Sequence, residues 1–265
     1  MTKKYLIAGN WKMNLTIHEA SVLVHHLDNA IRAYRDVEVV LAPHTLALQP
    51  ISQQVDHRKF RLASQNAYHK DSGAYTGEVS YSMLRHMVQY AIIGHSERRL
   101  YFNETLETVR DKVSAAVRND IMPILCVGET QQERNEGETK QVLHDQVVTA
   151  LSNLTSEEVE NVVIAYEPVW AISTFGGEIA KPADVQNAMR YIRKQVEELY
   201  GAAVAGSIRV LYGGSVDDQI ARGYLEIPEC NGALVGGASL NHHKFTGIVE
   251  VAHALAREEH GQESN

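Results

Sequence analysis

In the stretch AYEPVWAISTFGG, residues 165–177, a single acid, Glu167, stands where an apolar run stops, and proline and tryptophan follow it at once. The arrangement recurs along the chain. Asn10 and Lys12 come directly behind the run YLIAG, and His95 comes directly behind YAIIG. Amide, ammonium, imidazole and carboxylate are the side chains that hold and polarise small charged molecules. Two further apolar runs end in paired glycines, Tyr212-Gly213-Gly214-Ser215 and Val235-Gly236-Gly237-Ala238. Backbone N–H groups that no side chain covers can approach an anion closely at the start of a helix, so these pairs are candidate phosphate sites. Taken singly, each residue is of a kind that solvated loops use everywhere. They form a site only if the apolar runs bring their ends to one place.

The runs that must do so are residues 5–9, 37–42, 60–65, 90–94, 122–127, 161–166, 208–212 and 233–236, eight candidate strands. Most are near-continuously apolar, as expected of parallel strands covered on both faces. Between them lie stretches with helical spacing, including 105–119, the long region 131–154, and 182–200, which opens with proline and ends at Gly201. Strand then helix, repeated eight times in about 250 residues, predicts a single-domain (β/α)8 barrel. An open doubly wound sheet is the alternative, but its first turn calls for a GxGxxG fingerprint, and here that turn reads AGNWKMN. In a barrel the C-terminal strand ends converge on one mouth, so Asn10, Lys12, His95, Glu167 and both glycine pairs become neighbours. No linker or low-complexity tract divides the chain, which reads as one barrel domain over residues 1–257 and a polar C-terminal tail over 258–265.

Composition narrows the function. A content of 44% apolar and 22% charged residues is that of a globular protein. The formal charge of −8, with basic residues scattered, argues against nucleic acid as a partner and means that an anionic substrate needs local positive charge. Two cysteines, Cys126 and Cys230, without zinc-site spacing, fit a reducing compartment. The 13 histidines form no HExxH motif, and no metal is expected. The N-terminal apolar stretch is too short for a signal peptide, and no run approaches the ~18–20 apolar residues of a membrane span. A cytoplasmic protein with no membrane association is expected.

The segments AGNWKMN, IIGHSERR, CVGET, AYEPVWAI, LYGGSV and GALVGGASL, in this order and spacing, resemble the triosephosphate isomerases from residue 4 to about 255. The resemblance implies interconversion of dihydroxyacetone phosphate and D-glyceraldehyde 3-phosphate through an enediolate, without metal or organic cofactor. It implies Glu167 as the base that moves a proton between adjacent carbons, with Pro168-Val169-Trp170 as the hinge of a lid. It implies a neutral His95 that donates a hydrogen bond to the carbonyl oxygen, Lys12 as positive charge for enediolate and phosphate, and Asn10 beside the developing oxyanion. Glu97 corresponds to an acid that orients Lys12. Phosphate would meet backbone N–H groups of Ser173, Ser215, Gly236 and Gly237. The loop GAYTGEVS, from Gly73 to Ser80, corresponds to one whose tip near Thr76 enters a partner subunit, so a homodimer is implied. Glu129 corresponds to the open-state partner of Trp170.

The chain departs from the family pattern at several points. AISTFGGEIAK, before Pro182, is two residues longer than the usual AIGTGKTA, with Ser173 in place of a glycine and Phe175 near the tip. Asn103, Leu106 and Asn231 replace a usual Gly, Asp and Asp. A longer lid admits the alternative of a four-carbon ketose phosphate as substrate, and a phosphate-binding barrel without catalysis is a further alternative.

Overall fold

The computed structural model describes residues 4–172 and 178–263. Its strands are β1 (Tyr5–Asn10), β2 (Val37–Ala42), β3 (Phe60–Ser64), β4 (Tyr90–Ile93), β5 (Met122–Val127), β6 (Val163–Tyr166), β7 (Arg209–Tyr212) and β8 (Gly232–Val235). Each pairs in parallel with the next, and β8 pairs back onto β1, closing the barrel. The (β/α)8 architecture expected from the repeating pattern is the fold of this chain.

The apolar runs lack alternation because both faces of each strand are covered. Leu6, Ala8, Ile92, Val163, Ala165, Leu211 and Leu234 pack together inside the barrel. Their neighbours, such as Tyr5, Ile7, Ile164 and Tyr212, pack outward beneath the helices. Strand side chains alternate with period two, so this inward phase is what aims the residues at the mouth. Closure has its own demand. Gly232 has φ +147°, and a Cβ there would stand 1.8 Å from the Leu6 carbonyl oxygen, so only glycine lets β8 meet β1.

Several boundaries differ from the sequence reading for local reasons. The helical region expected over 131–154 is two helices, Gln131–Asn135 and Thr139–Leu151, parted by Gly137 at φ +77°. β6 begins at Val163 because the backbone of Asn161 and Val162 still bonds to Glu158 and Val159 of the preceding turn. The last helix, His242–Glu263, runs into the segment expected as a frayed tail, 258–265. Glu258 is held there by Arg222 at 2.7 Å, and Glu259 accepts from the Tyr5 hydroxyl at 3.3 Å. Asn103, where the family usually has glycine, takes φ +52°, a conformation asparagine tolerates better than most residues. Asn231 accepts from Arg193 at 2.6 Å and from the Val210 N–H at 3.0 Å, fixing the approach to β8. Nothing in the structure explains Leu106.

The barrel floor is polar. Arg209, in phase with Leu211, donates to Glu38 at 2.8 Å and to the Tyr90 hydroxyl at 2.7 Å. Burial pushes the Tyr90 phenol up to about 12, while Tyr90 and Glu38 together outweigh burial and keep the Arg209 guanidinium firmly charged. Removing one partner of such a pair strands the other. Arg209→Met is expected to lower the unfolding free energy by about 2–4 kcal/mol, read from the urea midpoint; an unshifted midpoint would show that the floor contributes nothing.

Candidate active site

The C-terminal strand ends open into a cavity of about 480 Å³ whose wall includes Asn10, Lys12, His95, Glu167, Ser215, Gly236 and Gly237. Asn10 continues the inward phase of Leu6 and Ala8, Glu167 that of Val163 and Ala165, and Gly236 that of Leu234. His95 is out of phase with Ile92. It reaches the mouth because Gly94, at φ +72°, turns the chain between them. Glu97 stands behind the wall and joins it through Lys12, whose Nζ lies 2.5 Å from Glu97 Oε1. Ser173 and Phe175 lie outside the described residues.

Glu167 is 2% exposed. Its Oε2 accepts the Ser96 N–H at 2.9 Å. His95 Nε2 lies 3.1 Å from Oε1 but off the line a hydrogen bond needs, so Oε1 has no hydrogen-bond partner among the described residues. Two glycines make room for this residue. A Cβ on Gly128 would stand 1.7 Å from the Glu167 carbonyl oxygen, and one on Gly213 would stand 2.8 Å from its Cγ. Neither Ser96 nor Gly128 was singled out in the sequence, although both lie in the motifs HSERR and CVGET.

His95 caps the helix Ser96–Tyr101, its Nδ1 accepting the Glu97 N–H at 3.2 Å. An accepting Nδ1 carries no proton, which assigns the ring hydrogen to Nε2, facing Glu167. Lys12 sits at φ +53°, held by its N–H to Asn10 Oδ1 at 3.1 Å and by Gln65, whose amide donates to the Lys12 carbonyl at 2.8 Å. A left-handed lysine is a strained conformation kept by its surroundings. Gln65 also holds the Ala42 carbonyl at 2.9 Å, so one side chain ties the ends of β1 and β2.

At the other end of the cavity the 3-10 turn Gly237–Leu240 follows β8. Its first backbone N–H groups have no preceding turn to bond to. Ser215 gives both its N–H and its hydroxyl to the Ala171 carbonyl, at 3.3 and 2.8 Å. Among the described residues no group of three or more His, Cys, Asp or Glu side chains is placed to hold a metal ion.

Comparison with known proteins is decisive. The family profile of triosephosphate isomerase matches residues 5–252. Triosephosphate isomerase of Carboxydothermus hydrogenoformans is 43% identical over 249 residues, covering 94% of this chain and 98% of the relative. That of Chloroherpeton thalassium is 44% identical over 254 residues, covering 95% and 100%. That of Alkaliphilus metalliredigens is 42% identical over 248 residues, covering 93% and 99%. The chain belongs to the triosephosphate isomerase family.

Within this member of the triosephosphate isomerase family, a second buried glutamate sits beside the first. Glu129, 2% exposed, accepts from the Trp170 indole at 2.9 Å and from the Tyr166 hydroxyl at 3.1 and 3.2 Å. The contact expected between Glu129 and Trp170 is present, and Arg134 stacks on the indole at 3.7 Å. Burial raises the Glu129 carboxyl above the usual glutamate range, only partly opposed by its hydrogen bonds. A raised folded value means that the folded chain keeps the proton longer than the unfolded one. The resulting stabilisation is fully present below the ordinary glutamate pKa and is lost as pH rises through the folded value. Trp170 fluorescence is expected to titrate with a midpoint above about 4.3, and Glu129→Gln to abolish that step; a midpoint at or below the ordinary value would contradict the assignment.

Proposed function

We propose that this chain interconverts dihydroxyacetone phosphate and D-glyceraldehyde 3-phosphate by proton transfer through an enediolate, using no metal or organic cofactor. The observation that carries the reading is Glu167: a buried carboxylate with one unpaired oxygen, sharing a cavity with an imidazole N–H, an ammonium and an open glycine turn. Family membership supports the same substrate.

Glu167 takes the hydrogen from the carbon beside the carbonyl as a proton, and returns it to the neighbouring carbon. An unpaired oxygen has no hydrogen bond to break before it accepts that proton. His95 Nε2–H donates to the carbonyl oxygen as charge develops there. Lys12 supplies positive charge to the oxyanion and the phosphate, Asn10 closes the polar wall, and Glu97 orients Lys12 through their 2.5 Å contact. The phosphate lies against backbone N–H groups of Gly236 and Gly237, with Ser215 and Ser173. For Ser215 this means exchanging its bond to Ala171 for one to phosphate.

The working unit of the proposal is a homodimer in the cytoplasm. Residues 71–78 are exposed throughout, and the exposed apolar side chains Met13, Leu46, Met83 and Phe102 favour an apolar partner surface. No described helix is long and apolar enough to cross a membrane.

The test is turnover of D-glyceraldehyde 3-phosphate beside a four-carbon ketose phosphate, with higher kcat/KM expected for the triose. Glu167→Ala is expected to reduce kcat by a factor on the order of 10³ or more while a phosphate-bearing inhibitor still binds. Unchanged turnover in that variant would remove Glu167 from the mechanism.

A further inference from the structure

Two charged side chains of the cavity take no part in the chemistry set out above. Asp217 and Lys244 both line it, with the Lys244 ammonium 3.8 Å from Asp217 Oδ2. Among the described residues, the other formally charged groups on that wall are Lys12 and Glu167. Lys12 is already closed onto Glu97 at 2.5 Å. Without Lys244, an entering phosphate dianion would meet one committed cation and two carboxylates, a field that opposes it.

The fold sets Lys244 between the two loops that would hold the phosphate. It stands in the first turn of the last helix, His242–Glu263, just behind the 3-10 turn Gly237–Leu240. Asn241 fixes that turn, its Oδ1 accepting the His243 and Lys244 N–H groups at 3.0 and 3.2 Å. The same helix leans on the segment that follows Ser215, since a Cβ on Gly247 would stand 2.8 Å from Asp218 Cβ. Asp217 is anchored from its own side. Its Oδ1 accepts the Gln219 and Ile220 N–H groups at 3.1 and 3.3 Å, while Oδ2 faces the lysine. At 3.8 Å that contact is longer than a hydrogen bond, and the Lys244 side chain is half exposed. A lysine so placed can turn on its flexible stem and bring a point charge with three donors to a nearby anion.

We propose that Lys244 is a second substrate-binding cation of this chain. Before substrate enters, its ammonium masks the fixed Asp217 carboxylate; as substrate enters, the ammonium exchanges Asp217 for the phosphate group. This deepens the isomerase reading and rests on it. The phosphate is remote from the carbons that exchange a proton, so the contact is equally strong before and during the transfer. Uniform binding of that kind lowers KM without raising kcat. A substrate that lacks the phosphate gains nothing from it.

The experiment is steady-state kinetics with D-glyceraldehyde 3-phosphate and, beside it, unphosphorylated D-glyceraldehyde. Lys244→Met keeps the stem and removes the charge. It is expected to raise KM for the phosphorylated substrate about threefold to tenfold, the scale of one partly exposed charged contact, with kcat within about twofold of the parent. On D-glyceraldehyde its kcat/KM is expected to stay within about twofold, a split between substrates that a merely structural lysine would not produce. Lys244→Arg is expected to restore most of the lost affinity. Asp217→Asn, whose amide oxygen can still accept from Gln219 and Ile220, is expected to move KM the other way, down by about twofold or more. It decides the matter if the methionine variant does not fold. An unchanged KM for the phosphorylated substrate in the deciding variant, or an equal loss on both substrates, overturns the assignment. Absence of turnover in the parent itself would instead overturn the isomerase reading on which the assignment rests.

Discussion

A buried carboxylate with one oxygen left unpaired is the constraint around which this molecule is arranged. Left to itself such a group would draw in a partner or move into water, because an unmet buried acceptor costs about 1–3 kcal/mol. Glu167 does neither. Its Oε2 is pinned to the Ser96 backbone, its main chain is pressed against Gly128 and its Cγ against Gly213, and β6 fixes the inward phase from which it projects. Each restraint comes from a different βα unit, so a closed barrel is what brings them to one residue.

The contrast with Glu129 shows how local that constraint is. Both glutamates are 2% exposed and lie just beyond adjacent strands. Glu129 is fully engaged by an indole and a phenol, and is suited to holding a hinge. Glu167 has one oxygen engaged and one free, and is suited to accepting a proton. The chain distinguishes the two by what surrounds them. Aromatic donors meet Glu129, whereas glycines and a poorly aligned imidazole meet Glu167.

Much of this was legible in the sequence. Continuous apolar runs predicted parallel strands, and the residue at the end of each run predicted the mouth, because strand phase carries from Val163 and Ala165 to Glu167 without any long-range information. What escaped was set by contacts between distant segments. The Ser96 N–H lies 71 residues from the carboxylate it holds, and a backbone donor leaves no mark in the side-chain pattern. Gln65 reads as the end of a strand, yet its amide braces Lys12 53 residues away. The break at Gly137 was missed because the residues on either side keep helical composition, and only the left-handed φ ends the helix. Gly213 was read for the anion it could approach, and its closeness to Glu167 Cγ emerges only when β6 and β7 are paired.

The central claim is that the position of Glu167, set by glycines that leave no space to spare, carries the chemistry. Gly213→Ala tests it most directly, because the added methyl would stand 2.8 Å from Glu167 Cγ and must displace the carboxylate. The backbone at Gly213 needs no positive φ, so the chain should fold as before. The account predicts a fall in kcat of about 100-fold, the scale of a 1 Å misplacement of a reacting group, with KM for triose phosphate little changed. A variant that folds and turns over within twofold of the parent would contradict it.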